Sequence, residues 1–293
     1  MRFRYYLLAL LIVFFWGLSL AFTRLLLDNN FTPNLITFLR FSLAILMMVL
    51  FLKKKIRAEI ERRDVVYFIL MALCGTTLFY YFENSALKFT TVSNTALITA
   101  LIPLFTLLTA RILFAKKIHW QNYLGIIAGI TGTAVLFYRD LIITRFHLKG
   151  DLMALGSVLM WVVYSFALGK VLHRYSMTFI VFRVFTYGVL FLLPVIILEK
   201  AYLIRVNIGW DVAVSLIFLA FFCSFLGYYG WNLAIRKLGI KVVSNFILFI
   251  PVVSILTGIV LFRESFHYSL VISSLLIISG AYLNSLSQPG SQF

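Results

Sequence analysis

Residues 78–104 read LFYYFENSALKFTTVSNTALITALIPL, and residues 226–252 read LGYYGWNLAIRKLGIKVVSNFILFIPV. A constant offset of 148 places Tyr80 on Tyr228, Tyr81 on Tyr229, Asn84 on Asn232, Ala86 on Ala234 and Pro103 on Pro251. Apolar composition alone would repeat Leu and Phe; it would not repeat Tyr-Tyr, Asn and Pro in register. The same offset carries Leu113-Phe114 onto Leu261-Phe262, His119 onto His267 and Gly132 onto Gly280. Upstream, Trp16 matches Trp161 at an offset of 145 and Arg40 matches Arg183 at 143, so the change falls in a loop. The chain therefore reads as two copies of one unit, residues 1–146 and 147–293.

Of the 293 residues, 62% are hydrophobic and 12% charged, where soluble domains carry roughly 25% charged residues. So little polar surface cannot coat a soluble body, and lipid is the expected solvent. A helix crosses a bilayer with about 20 mostly apolar residues. Ten runs qualify: 5–27, 33–52, 65–87, 92–114, 122–138, 151–172, 177–199, 211–234, 242–262 and 267–286. They are continuous, unlike the alternating segments of about ten residues that build a membrane barrel. The expected fold is all-α, with five spans in each repeat.

Lys and Arg set the orientation. With the N-terminus in the cytoplasm, the inside segments gather 16 basic residues, led by Lys53, Lys54, Lys55, Arg57, Arg62 and Arg63, and the outside segments seven. This bias puts both termini in the cytoplasm. An odd number of spans per unit makes the second repeat enter the membrane inverted, and the charges agree: segment 53–64 is more basic than 199–210, while 235–241 is more basic than 88–91. Inverted repeats are a construction that secondary transporters use, with the substrate site near mid-membrane between the halves.

The net charge of +16 is spent in the short loops and forms no basic nucleic-acid face. Cys74 and Cys223 lie inside apolar runs and read as small hydrophobes. His119, His147, His173 and His267 fall at helix ends or in loops without Cys or acidic clusters, so no metal is expected. No G-x-x-x-x-G-K-[ST] phosphate loop occurs, and no cofactor is expected. The start, Met1-Arg2-Phe3-Arg4, runs into an apolar segment without a small-residue cleavage site and reads as a retained helix.

Each half carries N-x-A-[LI], as Asn84-Ser85-Ala86-Leu87 and Asn232-Leu233-Ala234-Ile235, followed by a helix with a central proline, Pro103 or Pro251. With FWGLSLAFTR from residue 15, TFLRF around Arg40, and LFRES around Glu264, these features resemble the EamA-type permeases of the drug/metabolite transporter superfamily. The resemblance spans nearly the whole chain. It implies a transporter of small organic solutes, with a cavity lined by helices one to four and six to nine and with helices five and ten behind. The first half departs from the pattern in having Lys116 where the second half has Glu264.

Of ten acidic residues, Glu83 alone sits well within a span. Intramembrane charges are costly and mark pathways, relays or pairs. At ~1.5 Å rise per residue, Glu83 falls roughly 6–8 Å and Arg40 roughly 10 Å below the same surface. Glu83 is read as a group that binds a cation or exchanges a proton, as half of a fixed pair with Arg40, or as a carboxylate that reaches outward to water. Arg183 lacks the equivalent carboxylate, since Trp231 occupies the matching position, and the two Arg residues are read as structural or gating. Trp16, Trp161, Tyr164, Tyr80, Tyr81, Tyr228, Tyr229 and Trp231 are cavity candidates, offering stacking, cation–π attraction and hydrogen bonds; the competing role is an interfacial belt. Asn84 and Asn232 either contact substrate or bond across helices. Ser19, Thr23, Ser93, Asn94, Ser244 and Asn245 are further polar candidates. Pro103 and Pro251 remove backbone hydrogen bonds and are expected to bend their helices. Gly125-x-x-x-Gly129 permits close helix approach, within the chain or in a homodimer.

The function expected is a secondary or facilitative permease of a small metabolite such as an amino acid or amine, working by alternating access. Its partners would be the lipid bilayer, the solute and a coupling proton, with the chain a monomer or homodimer in the plasma membrane. An integral-membrane lipid-modifying enzyme and a non-transporting scaffold are the alternatives; the first would need a polar catalytic cluster beyond Glu83, and the second gives the paired polar positions no purpose.

Overall fold

In hydrocarbon no water replaces an unmade backbone hydrogen bond, so long apolar runs close their bonds internally as helices. The computed structural model describes residues 3–52, 59–114, 119–143, 145–200, 206, 209–238, 243 and 245–286, and every regular element among them is helical. Lys53, Lys54, Lys55, Arg57, Lys116, Ser244 and the Asn245 side chain lie outside the described residues. The helices are α1 (Phe3–Asp28), α2 (Pro33–Leu52), α3 (Arg62–Ala86), α4 (Val92–Ile112), α5 (Trp120–Ile143), α6 (Arg145–Val171), α7 (Met177–Leu198), α8 (Trp210–Leu238), α9 (Phe246–Phe262) and α10 (Tyr268–Leu286). Seven, α1 to α4 and α6 to α8, are long and apolar enough to cross a membrane, while Phe246–Phe262 and Tyr268–Leu283 are shorter apolar helices. Large apolar side chains such as Leu46, Leu50, Ile127, Val260 and Leu275 are exposed on their outer faces, as lipid contact requires.

Boundaries differ most from the apolar runs between α5 and α6. The expected loop at 139–150 is taken up by α5 and α6, which continue to Ile143 and from Arg145. Helix formation needs only internal hydrogen bonds, so a helix extends beyond the apolar run that marks its span.

Two irregularities recur in matching places. Leu73–Leu78 in α3 and Phe218–Leu226 in α8 are π-helical, and the offset of 148 maps the first onto 221–226 within the second. Helix α4 breaks at Ala100–Leu101, and α9 begins within a 3₁₀ stretch, Asn245–Phe249; Pro103 and Pro251 are the second residues of the α-helical segments that follow, Ile102–Phe114 and Ile250–Phe262. A missing N–H costs nothing at the start of a helical segment. Pro194, inside α7, lies in an unbroken helix.

Packing partners follow a pattern. Helix α1 packs on α8 and α9, and α6 packs on α3 and α4. Helix α2 packs on α7 and on the π-helical stretch of α8; α7 packs on α2 and on that of α3; α5 packs on α10. Exchanging α1–α5 with α6–α10 turns this set of pairs into itself. The α5–α10 contact is close because it is built on glycine: a Cβ at Gly280 would come within 2.5 Å of the Gly125 carbonyl oxygen. Gly125-x-x-x-Gly129 is thus used inside the chain.

Candidate functional site

The aromatic candidates converge where the halves meet. Ring centroids form an unbroken series: Trp231–Trp16 at 4.9 Å, Trp16–Tyr228 at 5.9 Å, Tyr228–Phe185 at 5.1 Å, Phe185–Phe41 at 4.4 Å and Phe41–Tyr80 at 5.0 Å. It continues Tyr80–Phe79 at 4.9 Å, Phe79–Trp161 at 4.8 Å and Trp161–Tyr164 at 4.8 Å. Six candidates therefore share one wall contributed by α1, α2, α3, α6, α7 and α8. Tyr81 does not join it: this residue is 36% exposed and pairs with Phe82. Tyr229, its counterpart, is partly buried and outside the series. Phe41, Phe79 and Phe185 complete the wall and were not among the sequence candidates.

Arg40 lies against this wall, 4% exposed. Its Nε–H donates to Ser224 Oγ at 2.7 Å, and that hydroxyl donates to the Leu219 carbonyl at 2.9 Å. The guanidinium carbon sits 4.9 Å from the Tyr80 ring centre and 5.5 Å from that of Phe41. Glu83, Tyr80, Tyr228 and Cys223 lie within electrostatic range of it. Yet Arg40 and Glu83 do not form an ion pair, and the half-buried Glu83 carboxylate makes no hydrogen bond among the described residues. The fixed-pair reading of these two charges is not what the structure contains. Arg183, the counterpart of Arg40, stacks over Phe179 at 5.3 Å.

Trp16 adds a second tie to the π-helical stretch of α8. Its Nε1–H donates to the Cys223 carbonyl at 2.9 Å, and the Cys223 thiol donates to the Phe15 carbonyl at 3.3 Å. Asn84 bonds across helices: its Nδ2 donates to Thr37 Oγ1 at 3.1 Å and to the Pro33 carbonyl at 3.3 Å. Asn232 is buried, with its Nδ2 lacking a hydrogen-bond partner among the described residues. Ser19 is consumed locally, donating to the Trp16 carbonyl at 2.6 Å.

Other polar groups tie the ends of the helices. Glu264 accepts from Val92 N at 2.6 Å, Ser93 N at 3.2 Å and Ser93 Oγ at 2.5 Å, capping α4 across the two halves. Fully buried Asp151 accepts from Thr90 Oγ1 at 2.6 Å and Asn94 Nδ2 at 3.3 Å. A small pocket beside Glu264, lined by Thr91, Ser93, Asn94, His147, Ser265, His267 and Leu270, includes none of the aromatic wall. In the α6–α7 loop, Arg174 and Tyr175 donate to Asp64 at 2.6 and 2.9 Å. Desolvation, with a further contribution from the Asp64 carboxylate, holds the Tyr175 phenol above its ordinary pKa. No group of three His, Cys, Asp or Glu side chains suited to a metal converges among the described residues.

The sequence profile of the EamA-like transporter family matches this chain twice, over residues 3–138 and 148–286. An "Uncharacterized transporter" of Archaeoglobus fulgidus is 27% identical over 278 residues, covering 93% of this chain and 95% of its own. A "Probable amino-acid metabolite efflux pump" of Salmonella typhimurium is 25% identical over 94% of this chain and 93% of its own, and a protein of the same description from Escherichia coli is 24% identical over the same shares. A solved crystal structure superposes with a TM-score of 0.66 at 21% identity, covering 98% of both chains, and so shares the fold. Ten apolar runs in two like units, a doubled profile and an aromatic wall shared between the units agree on one assignment: the chain belongs to the EamA-like transporter family.

Proposed function

We propose that this protein is a secondary or facilitative permease that moves a small organic metabolite, an amino acid or amine, by alternating access between two inverted five-helix repeats, 1–146 and 147–293. The doubled profile match, the π-helical stretches at equivalent positions and the exchange-symmetric packing of α1–α5 and α6–α10 support the repeat. The Lys and Arg distribution supports ten spans with both termini in the cytoplasm of a plasma membrane. The relatives described as amino-acid metabolite efflux pumps support the solute class.

One observation carries the reading: the twin contacts are made on one side only. Trp16 and Arg40 both bond to the π-helical stretch of α8. At the equivalent place in α3, Thr76 matches Ser224, and its buried hydroxyl has no hydrogen-bond partner among the described residues. No hydrogen bond joins Trp161 to Gly75, the counterpart of Cys223, among the described residues. Two like halves with one latch closed and its twin open support the reading of two exchange-related states, between which the aromatic wall would open to opposite sides.

Solute flux in proteoliposomes tests this reading. Purified protein should give saturable uptake, with counterflow, of at least one member of a panel of radiolabelled L-amino acids and their decarboxylated amines. Flux no greater than in protein-free liposomes across the panel would overturn it.

A further inference from the structure

Arg40 lies against the aromatic wall, over the Tyr80 and Phe41 rings, with Glu83 in electrostatic range, and neither charge has an ionic partner among the described residues. Among the described residues Arg40 makes a single hydrogen bond, through Nε to Ser224, and neither Nη group has a hydrogen bond or a carboxylate partner there. Its burial is nearly complete. A guanidinium removed from water is strongly unfavourable unless an anion meets it, and its planar fork is shaped for a carboxylate. Glu83 lies in electrostatic range without touching it. A direct pair would have neutralised both charges, and no ion pair joins them among the described residues.

Ser224 sharpens the geometry. By taking the Nε–H while donating its own proton to the Leu219 carbonyl, it ties the guanidinium to α8 through Nε and leaves both Nη groups out of that bond. The second half has no equivalent of this charge pair, because Trp231 stands at the position matching Glu83. There is one such site in the molecule, not two.

We infer that Arg40 and Glu83 together select a zwitterion, the Arg40 Nη groups holding the carboxylate of the solute and Glu83 its ammonium, with an apolar side chain against the Phe41–Tyr80–Phe185–Tyr228 wall. This deepens the permease reading and rests on it for the location of the site, but it makes a narrower claim. An amine without a carboxylate leaves the buried Arg40 without an anion; an acid without an amine leaves the half-buried Glu83 without a cation. Free α-amino acids with apolar side chains satisfy both groups.

Binding to the purified full chain in nanodiscs tests it, read by tryptophan fluorescence, since Trp16, Trp161 and Trp231 stand in the wall. The probes are two matched sets: L-phenylalanine, 2-phenylethylamine and 3-phenylpropionate; and L-leucine, isoamylamine and 4-methylpentanoate. In at least one set the amino acid should bind about tenfold or more tightly than either singly charged analogue, as expected of charge-assisted hydrogen bonds. Arg40→Gln should erase the preference for the amino acid over the amine, and Glu83→Gln its preference over the acid. A misfolded variant would instead lose every probe, so the change in ratio separates recognition from folding. Equal affinity for amine and amino acid, no binding of either amino acid, or the same ratios in both variants as in wild type would overturn the inference. Flux of the amines alone would reject it while leaving the permease reading intact, and amino-acid binding without any flux would do the reverse.

Discussion

The indole N–H of Trp16 donates to the carbonyl oxygen of Cys223 at 2.9 Å, joining α1 to the π-helical stretch of α8 across the two halves of the chain. A π-helical stretch widens the ladder locally, and such stretches are frequent at functional sites. Here it presents a carbonyl and the Ser224 hydroxyl to side chains of the opposite half.

Trp16→Phe keeps the ring and removes this bond. Loss of one neutral hydrogen bond corresponds to roughly a three- to tenfold change in an opening equilibrium. Cys223, fully buried beneath the contact, should then be alkylated by a maleimide severalfold faster in the Cys74→Ser background. Trp161→Phe, whose indole makes no corresponding bond to Gly75 among the described residues, should leave that rate unchanged. Equal acceleration by both substitutions would show that the contact is not a latch.

Gly280 and Gly129 predict unequal costs for the same substitution. A Cβ at Gly280 would meet the backbone oxygen of Gly125 at 2.5 Å, which cannot move without moving α5. At Gly129 the nearest atom is the Cδ1 methyl of Leu104, at the far end of a flexible side chain. Gly280→Ala should destabilise by about 1–3 kcal/mol, as overpacking does, and Gly129→Ala by less than about 1 kcal/mol. Thermal unfolding of the detergent-solubilised protein measures both.

The aromatic wall was only partly legible in the sequence, for a physical reason. Trp16, Trp161, Tyr80 and Tyr228 stand out because rare residue types recur in register. Phe41, Phe79 and Phe185 are three of 30 Phe residues, and nothing in an apolar run marks which of them face inward. Ser224 and Cys223 were hidden for another reason: a π-helical stretch shifts the face that each residue presents, and periodicity at 3.6 residues does not register it. Pro103 and Pro251, by contrast, announced the breaks in their helices because proline acts on its own backbone. The α5–α6 extension over 139–150 was illegible because charged residues there were read as loop, although charge does not prevent a helix outside the span.

Glu264 caps α4 from the opposite half through three hydrogen bonds. Its carboxylate meets both the exposed N–H groups and the positive end of the helix dipole. Glu264→Ala should lower stability by about 1–2 kcal/mol, in the range of a lost helix cap, and Glu264→Gln by less, because the amide oxygen still accepts. A thermal unfolding series that ranks Gln below Ala would contradict the capping role.

Asp64 is fully buried and accepts from both Arg174 and Tyr175. Arg174 is partly exposed, so the lower part of the range for charged hydrogen bonds applies, and Asp64→Asn should cost about 2 kcal/mol. The raised Tyr175 pKa fixes the sign of the alkaline effect. Its contribution is complete below the ordinary phenol value of about 10 and disappears as pH rises through the higher folded value. Tyr175→Phe should therefore flatten the fall in unfolding temperature above about pH 10, and an unchanged slope would place the alkaline loss elsewhere.

Glu83 separates transport from folding most cleanly. It makes no hydrogen bond or ion pair among the described residues, so its carboxylate contributes little to holding α3 in place, and desolvating that charge opposes the fold. Glu83→Gln should therefore leave the folded yield and unfolding temperature unchanged or slightly raised. Transport should nevertheless fall to the level of protein-free liposomes, because the amide cannot supply a counter-charge to a substrate ammonium or carry a proton. Wild-type uptake by this variant would remove Glu83 from the transport path. A collapse of folded yield would instead make it a structural residue, contrary to the contacts it has.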